Sequence, residues 1–103
     1  VEPCAFVHFS LENIQGKSLK EVLGSKIFKA YQARQPLSEN LLRPCPLIDV
    51  PQALREIVAE SGARPTHEGA DSILKGEHKE ALDQIAAAWQ KEADRLEKVN
   101  ANY

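Results

Sequence analysis

The sequence is poor in cysteine, in net charge and in long apolar runs. Its 103 residues include only two cysteines, Cys4 and Cys45. That is too few for the disulfide scaffold of a small secreted domain, so we expect a reducing, cytoplasmic compartment. A net charge of −2 offers no basic surface and argues against a nucleic-acid partner. No apolar run approaches the roughly 20 residues that cross a bilayer, and no signal peptide is evident, so we expect no membrane partner.

The sequence also lacks the short motifs that indicate self-contained catalysis. It has no glycine-rich phosphate loop, no G-x-S-x-G elbow and no H-E-x-x-H. His8, His67 and His78 are predicted on a strand, in a loop and at a helix start, and none has a nucleophile as a local partner. We therefore expect that this chain alone is not an enzyme.

What the sequence does contain is the pattern of a small α+β domain that is mostly helical. We expect a single domain over residues 1–103 with a modest core. The clearest element is a long amphipathic helix from about Glu77 to Val99, because its apolar side chains recur at helical spacing. Further helices are predicted over residues 19–23, 26–34 and 51–61, with a helical turn over 71–74 and a frayed tail over 100–103.

Capping residues set the ends of these helices. Ser18 stands three residues before Glu21, which predicts a capping box. Ser25 is the expected cap of the second helix and Asp49 that of the third. Gly62 is the expected residue after the third helix, where a left-handed backbone favours glycine.

One strand is predicted, from Cys4 to Phe9, in a run of apolar, β-branched and aromatic residues. No later stretch offers it a partner, and a lone strand leaves its backbone donors and acceptors unpaired. The partner would then come from an upstream segment or from a second copy of the chain. We therefore predict a C-terminal fragment of a larger protein, or a homodimer through this strand. The predicted fold is this strand, as the remnant of a hairpin, followed by about four helices.

The residues alone leave several interpretations of the cysteines open. Cys4, His8, Cys45 and His67 would make a Cys₂His₂ zinc set, but four positions along a strand span about 13 Å, too far for ligands of one zinc ion. A Cys4–Cys45 disulfide would stabilise the fold by roughly 4 kcal/mol but fits poorly with a reducing compartment. Cys4 as a buried hydrophobe and Cys45 as an incidental loop residue is the plainest interpretation. Against it, prolines on both sides of Cys45 favour an extended backbone that presents its side chain.

The loop GARPTHEGAD, residues 62–71, is a second candidate site because binding residues often lie in structured loops. His67 and Asp71 are its candidates for contact with a substrate. The alternative is a solvated histidine and an aspartate that only caps a helical turn.

Four stretches, taken in order, carry a family resemblance: VEPCAF, NI, SLKEVL with SKIFKAYQARQ, and RPCP. Together they resemble the C-terminal auxiliary iron–sulfur region of radical S-adenosylmethionine enzymes, of the SPASM and shorter twitch type. In that family a G-x₄-C hairpin carries one cysteine and further cysteines follow. Cys4 matches the hairpin cysteine, Cys45 matches a later ligand, and the expected glycine would fall just before Val1.

The resemblance implies a [4Fe–4S] cluster in the parent protein with Cys4 and Cys45 among its ligands, in a cluster region over 1–46 followed by a helical tail over 47–103. The chain departs from the family because the C-x₃-C-x₂-C triad is absent and a cluster usually takes four thiolates. We expect a missing upstream barrel domain to bind S-adenosylmethionine, and this part alone to hold no cofactor. The alternative function is a non-catalytic helical interaction module with structural cysteines.

Overall fold

The structure, a computed structural model, describes residues 1–99, and the fraying predicted for residues 100–103 lies outside it. The described part is mostly helical and contains a small two-stranded antiparallel sheet, which confirms the predicted fold class. In chain order the elements are β1 (Phe9–Ser10), α1 (Leu19–Leu23), α2 (Lys26–Ala33), α3 (Pro51–Ser61), β2 (Arg64–Pro65), a 3₁₀ helix (Ala70–Leu74) and α4 (Glu77–Val99).

Both α1 and α2 begin after a serine in an extended conformation, but only the first serine acts as a cap. The backbone N–H of Glu21 donates to Ser18 Oγ at 3.2 Å, which confirms Ser18 as the predicted cap. The Glu21 carboxylate accepts a hydrogen bond from Ser18 Oγ at 3.2 Å and not the backbone bond of the predicted capping box. Ser25 occupies the equivalent position before α2, yet its side chain makes no cap hydrogen bond. Its Oγ is buried without a hydrogen-bond partner among the described residues.

The cap predicted for α3 is wrong. The residue before the helix is Val50, and no side chain caps it. Asp49 is engaged elsewhere, because its carboxylate Oδ2 accepts a hydrogen bond from the backbone N–H of Cys45 at 2.8 Å. The C-terminal prediction is confirmed, since Gly62 follows the helix with φ 74°.

The predicted strand is displaced and does have a partner in this chain. Residues 3–6 form a bend and a turn, in which the Val7 N–H donates to the Cys4 carbonyl at 3.1 Å. The strand proper begins at Phe9, which pairs with Pro65 in the antiparallel sheet. Because proline has no N–H to donate, the ladder is short, and it does not extend to residues 4–7. The expectation that no later stretch pairs with the strand is therefore wrong.

The core lies where α2 and α3 pack together against β1. Leu54 and Ile57 on α3 are almost completely buried, at 1% and 0% exposure. Burying a side chain of this size stabilises a fold by about 1.5–3 kcal/mol, so this contact supplies much of the local stability. The buried cluster consists of Val7, Phe9, Ile27, Ala30, Leu54, Ile57, Val58 and Ala63.

The long helix α4 is fastened to α3 by a buried arginine. Arg55 Nη1 donates to Asp83 Oδ1 at 2.7 Å, and Arg55 Nε donates to the Ile73 carbonyl at 2.9 Å. Hydrogen bonds from Lys79 and then Arg55 hold the pKa of Asp83 below its usual value. No helix within residues 1–99 combines the length and the apolar composition that a bilayer crossing requires.

A second attachment lies further along α4. The indole Nε1 of Trp89 donates to the Leu42 carbonyl at 3.1 Å, and the Asn40 side chain donates to Asp94 Oδ1 at 3.1 Å. Trp89 is half-buried, and the buried positions of this helix are the small residues Ala86 and Ala93. Small side chains allow α4 to approach the loop that precedes α3.

Candidate functional site

Cys45 lies at the start of a tight turn whose backbone N–H groups point at its sulfur. Leu47 N and Ile48 N each donate to Cys45 Sγ at 3.4 Å. The Cys45 carbonyl accepts from Asp49 N at 3.1 Å and from Val50 N at 3.0 Å, which closes the turn. Hydrogen bonds to sulfur are one of the means by which proteins tune thiolate-bound iron–sulfur clusters. The turn therefore suits a sulfur that carries negative charge.

Asp49 is a site residue that the sequence prediction missed, because it was assigned to a helix cap. It is buried, and its Oδ2 accepts the 2.8 Å hydrogen bond from Cys45 N. Arg43 Nη2 donates to the Asp49 carbonyl at 3.0 Å and so braces the same turn. The available signal was the residue type, since an aspartate side chain can bond a backbone group three or four residues before it as well as cap a helix.

Cys4 lies in the exposed N-terminal turn, and Cys45 is half-buried; both are free thiols. Both cysteines affect the ionisation of the Tyr31 phenol on α2. Burial raises the pKa of Tyr31 to about 12, and the negative charges of Cys4 and Cys45 add to the effect. The effect of the two sulfurs is therefore secondary to that of burial.

These residues offer only half of the ligands that a cluster needs. A [4Fe–4S] cluster usually takes four thiolates, or three with one open position. Throughout residues 1–99, no group of three or more His, Cys, Asp or Glu side chains is placed to hold a metal ion. The Cys₂His₂ set considered from the sequence is therefore not assembled, and the two cysteines by themselves do not complete a cluster site.

The second predicted site is the loop over residues 62–71, and both of its candidate residues lie at the surface. His67 is exposed, and its ring contacts the ring of His8 with 4.7 Å between centroids. Asp71 lies in the first turn of the 3₁₀ helix and is also exposed. The structure thus brings His67 together with His8, which from the sequence was considered only as a zinc ligand.

The two histidines line a cleft of about 220 Å³. Its floor is apolar and includes side chains of the core, among them Phe9 and Leu54. Phe6 lies at the same cleft and is 74% exposed. A cleft with an apolar floor and a few polar groups at its rim has the general form of a small-ligand site.

Comparison of this chain with protein-family models, with curated proteins and with solved structures gives no match.

Proposed function

We propose that this chain is the auxiliary iron–sulfur cluster-binding C-terminal domain of a radical S-adenosylmethionine oxidoreductase. Cys4 and Cys45 supply two of the cluster's thiolate ligands. The domain is not catalytic in isolation. A cluster bound there orients a substrate or relays electrons close to the barrel that binds S-adenosylmethionine.

The observation that carries the proposal is the turn around Cys45. Two backbone N–H groups donate to its sulfur, and the buried carboxylate of Asp49 fixes the backbone of the same residue. An incidental loop cysteine has no need of such a preorganised surrounding, whereas a thiolate ligand gains from it.

The proposal requires further ligands and partners from outside the described residues. Two cysteines leave half of the usual thiolate positions to be filled, by the upstream part of the parent chain or by a second copy of this one. A homodimer therefore remains part of the proposal, although β1 already pairs with β2 and no longer requires a second chain. A cytoplasmic location completes it, since free thiols persist in a reducing compartment.

The test is anaerobic reconstitution of a longer protein that includes the upstream barrel domain. Iron, sulfide and the visible absorption band are measured for the wild type and for Cys4→Ala and Cys45→Ala. We expect both variants to lose cluster content. Unchanged iron and sulfide in the two variants would show that the ligand assignment is wrong.

A matched control separates ligand loss from instability. Ser18→Ala removes the cap of α1 and so lowers stability. Ser18 is exposed and is not a ligand of the proposed cluster. This variant should keep its full iron and sulfide content. If Ser18→Ala loses as much iron and sulfide as the cysteine variants, the loss in all three variants comes from unfolding and not from missing ligands.

A second candidate function is a non-catalytic helical interaction module with structural cysteines. The observation in its favour is the exposure of large apolar side chains, with Phe6 at 74% and Leu41 at 71%. The reconstitution experiment distinguishes the two functions. An interaction module stays free of iron and sulfide in the longer protein, whereas a cluster domain acquires both.

A further inference from the structure

The contact between His8 and His67 is fixed by the backbone on both sides. His8 immediately precedes β1, and its carbonyl accepts a hydrogen bond from Thr66 N at 2.9 Å. That bond continues the pairing of β1 with β2 by one residue. The two imidazoles therefore meet because the sheet brings their chain segments together, and their centroids lie 4.7 Å apart with the planes inclined at 63°.

A hydrogen bond sets the protonation of one ring. His67 Nδ1 lies 2.9 Å from the carbonyl oxygen of Glu68. Because a carbonyl only accepts, Nδ1 is the donor in this contact, which leaves Nε2 as the nitrogen available to a metal ion. Metal-binding histidines commonly donate their second ring N–H to a carbonyl in this way, which orients the ring toward the ion.

The surroundings provide an apolar wall beside this pair. Phe6, Leu47 and Ile73 line the same cleft of about 220 Å³. The other lining residues include no carboxylate and no amine, so no neighbouring charge in the cleft pairs with the imidazoles. An apolar shell of this kind limits the access of solvent to a bound ion.

We propose that His8 and His67 form a two-imidazole site for a divalent first-row transition-metal ion, with water or a small ligand in the remaining positions. Imidazole nitrogens suit zinc, copper, iron and nickel. With a bond of about 2.0–2.1 Å to each nitrogen, two rings on one ion have centroids about 4.5–5.2 Å apart when the N–metal–N angle is about 90–110°. The observed 4.7 Å lies in that interval.

The site is independent of the cysteine turn. No third His, Cys, Asp or Glu joins the pair to form a larger metal-binding group within the described residues. The ion is therefore exchangeable and held by two protein ligands. The proposal stands or falls separately from the cluster proposal, because it uses neither thiol.

The first experiment is a Ni²⁺ titration of the wild-type chain, followed through the Cε1–H signals of the histidines in ¹H–¹³C NMR spectra. His78, at the start of α4, serves as an internal control because it belongs to neither half of the pair. We expect the signals of His8 and His67 to broaden together at substoichiometric Ni²⁺ while that of His78 stays sharp. Equal broadening of all three histidines, or broadening of only one member of the pair, would overturn the proposal.

The second experiment measures Ni²⁺ affinity by calorimetry in variants. His8→Gln and His67→Gln should each weaken binding about tenfold to a hundredfold, since the second imidazole acts at high effective concentration. His78→Gln should leave the affinity unchanged, and so should the double variant Cys4→Ser with Cys45→Ser. Loss of Ni²⁺ binding in the cysteine double variant would identify the thiols as the ligands and refute the assignment.

Discussion

The Tyr31 hydroxyl is the group on which both cysteines of this chain act. Burial is the largest cause of its raised pKa, and the charges of Cys4 and Cys45 come next. A phenolate is disfavoured by desolvation and by nearby negative charge alike. The ionisation of Tyr31 therefore responds to the charge on the two sulfurs.

An absorbance titration at alkaline pH tests this relation. In a Tyr103→Phe background Tyr31 is the only tyrosine, and we expect its pKa near the value of about 12. The double variant Cys4→Ala with Cys45→Ala should lower that pKa while leaving it above 10.0, because burial remains. An unchanged pKa in the double variant would mean that the thiols do not reach the hydroxyl.

The same group makes a contribution to stability that depends on pH. The folded-state pKa of about 12 exceeds the ordinary value of 10.0, so folding favours the protonated phenol. The contribution is fully present below pH 10 and is lost as the pH rises toward 12. Chemical denaturation across this interval should show the wild type losing more stability than Tyr31→Phe.

At the scale of single elements, the serines before α1 and α2 form a natural comparison. Ser18 accepts a hydrogen bond from the backbone of Glu21, whereas Ser25 has a buried hydroxyl without a partner among the described residues. We expect Ser18→Ala to lower the free energy of unfolding by about 1 kcal/mol. Ser25→Ala should cost less or even stabilise, because it removes an unsatisfied buried polar group. Urea denaturation gives both values, and an equal loss in the two variants would contradict this account.

The glycine after α3 offers a second comparison. Gly62 has φ 74° and nothing within 4 Å of an added Cβ, so a substitution there meets backbone strain alone. We expect Gly62→Ala to cost about 1–2 kcal/mol, the penalty of a left-handed L-residue. Gly24 ends α1 with φ −91°, and its added Cβ makes only ordinary contacts. Gly24→Ala should be close to neutral or slightly stabilising, and thermal denaturation compares the two.

The sequence predicted those elements that depend on local signals. The bounds of α1 and α4 and the glycine after α3 were correct, because capping and helical periodicity are properties of short stretches. The partner of β1 was missed since Arg64–Pro65 has a weak strand propensity and acts only through a contact distant in sequence.

The two candidate sites likewise combine features that local sequence predicts with contacts between residues distant in sequence. Cys45 was named as a ligand from the family resemblance, and its flanking prolines favoured a presented side chain. The turn that surrounds its sulfur depends on Asp49, whose carboxylate could equally have capped α3. His8 and His67 were both named from the sequence, but the contact between their rings follows only from the fold. Side chains from separate elements meet through tertiary packing, which no local pattern encodes.

At the scale of the whole molecule, the docking of α4 depends on small residues. Ala93 is 0% exposed, on the face of the helix that also carries the Trp89 contact to Leu42. We expect Ala93→Leu to destabilise by about 1–3 kcal/mol through overpacking. Ala88→Leu, at an exposed position of the same helix, should stay within about 0.5 kcal/mol of the wild type.

Fluorescence of the single tryptophan and far-ultraviolet circular dichroism together show how the helix detaches. For Ala93→Leu the fluorescence transition should come at lower denaturant concentration than the wild-type transition, because Trp89 lies at the affected contact. Coincidence of the Ala93→Leu and Ala88→Leu transitions would show that the position is not tightly packed.

The pairing of Phe9 with Pro65 has a consequence for the order in which the molecule assembles. Helices α1, α2 and α3 lie between the two paired strands, and their hydrogen bonds join near neighbours, which form quickly. The strand pairing instead closes a long loop. The entropy lost in closing this loop opposes the pairing before the new contacts stabilise it, and such distant contacts slow folding. The His8–His67 contact depends on that closure, so the two imidazoles should meet late, after the helices have formed. A newly synthesised chain would therefore acquire its affinity for metal ions as one of its last steps toward the native state.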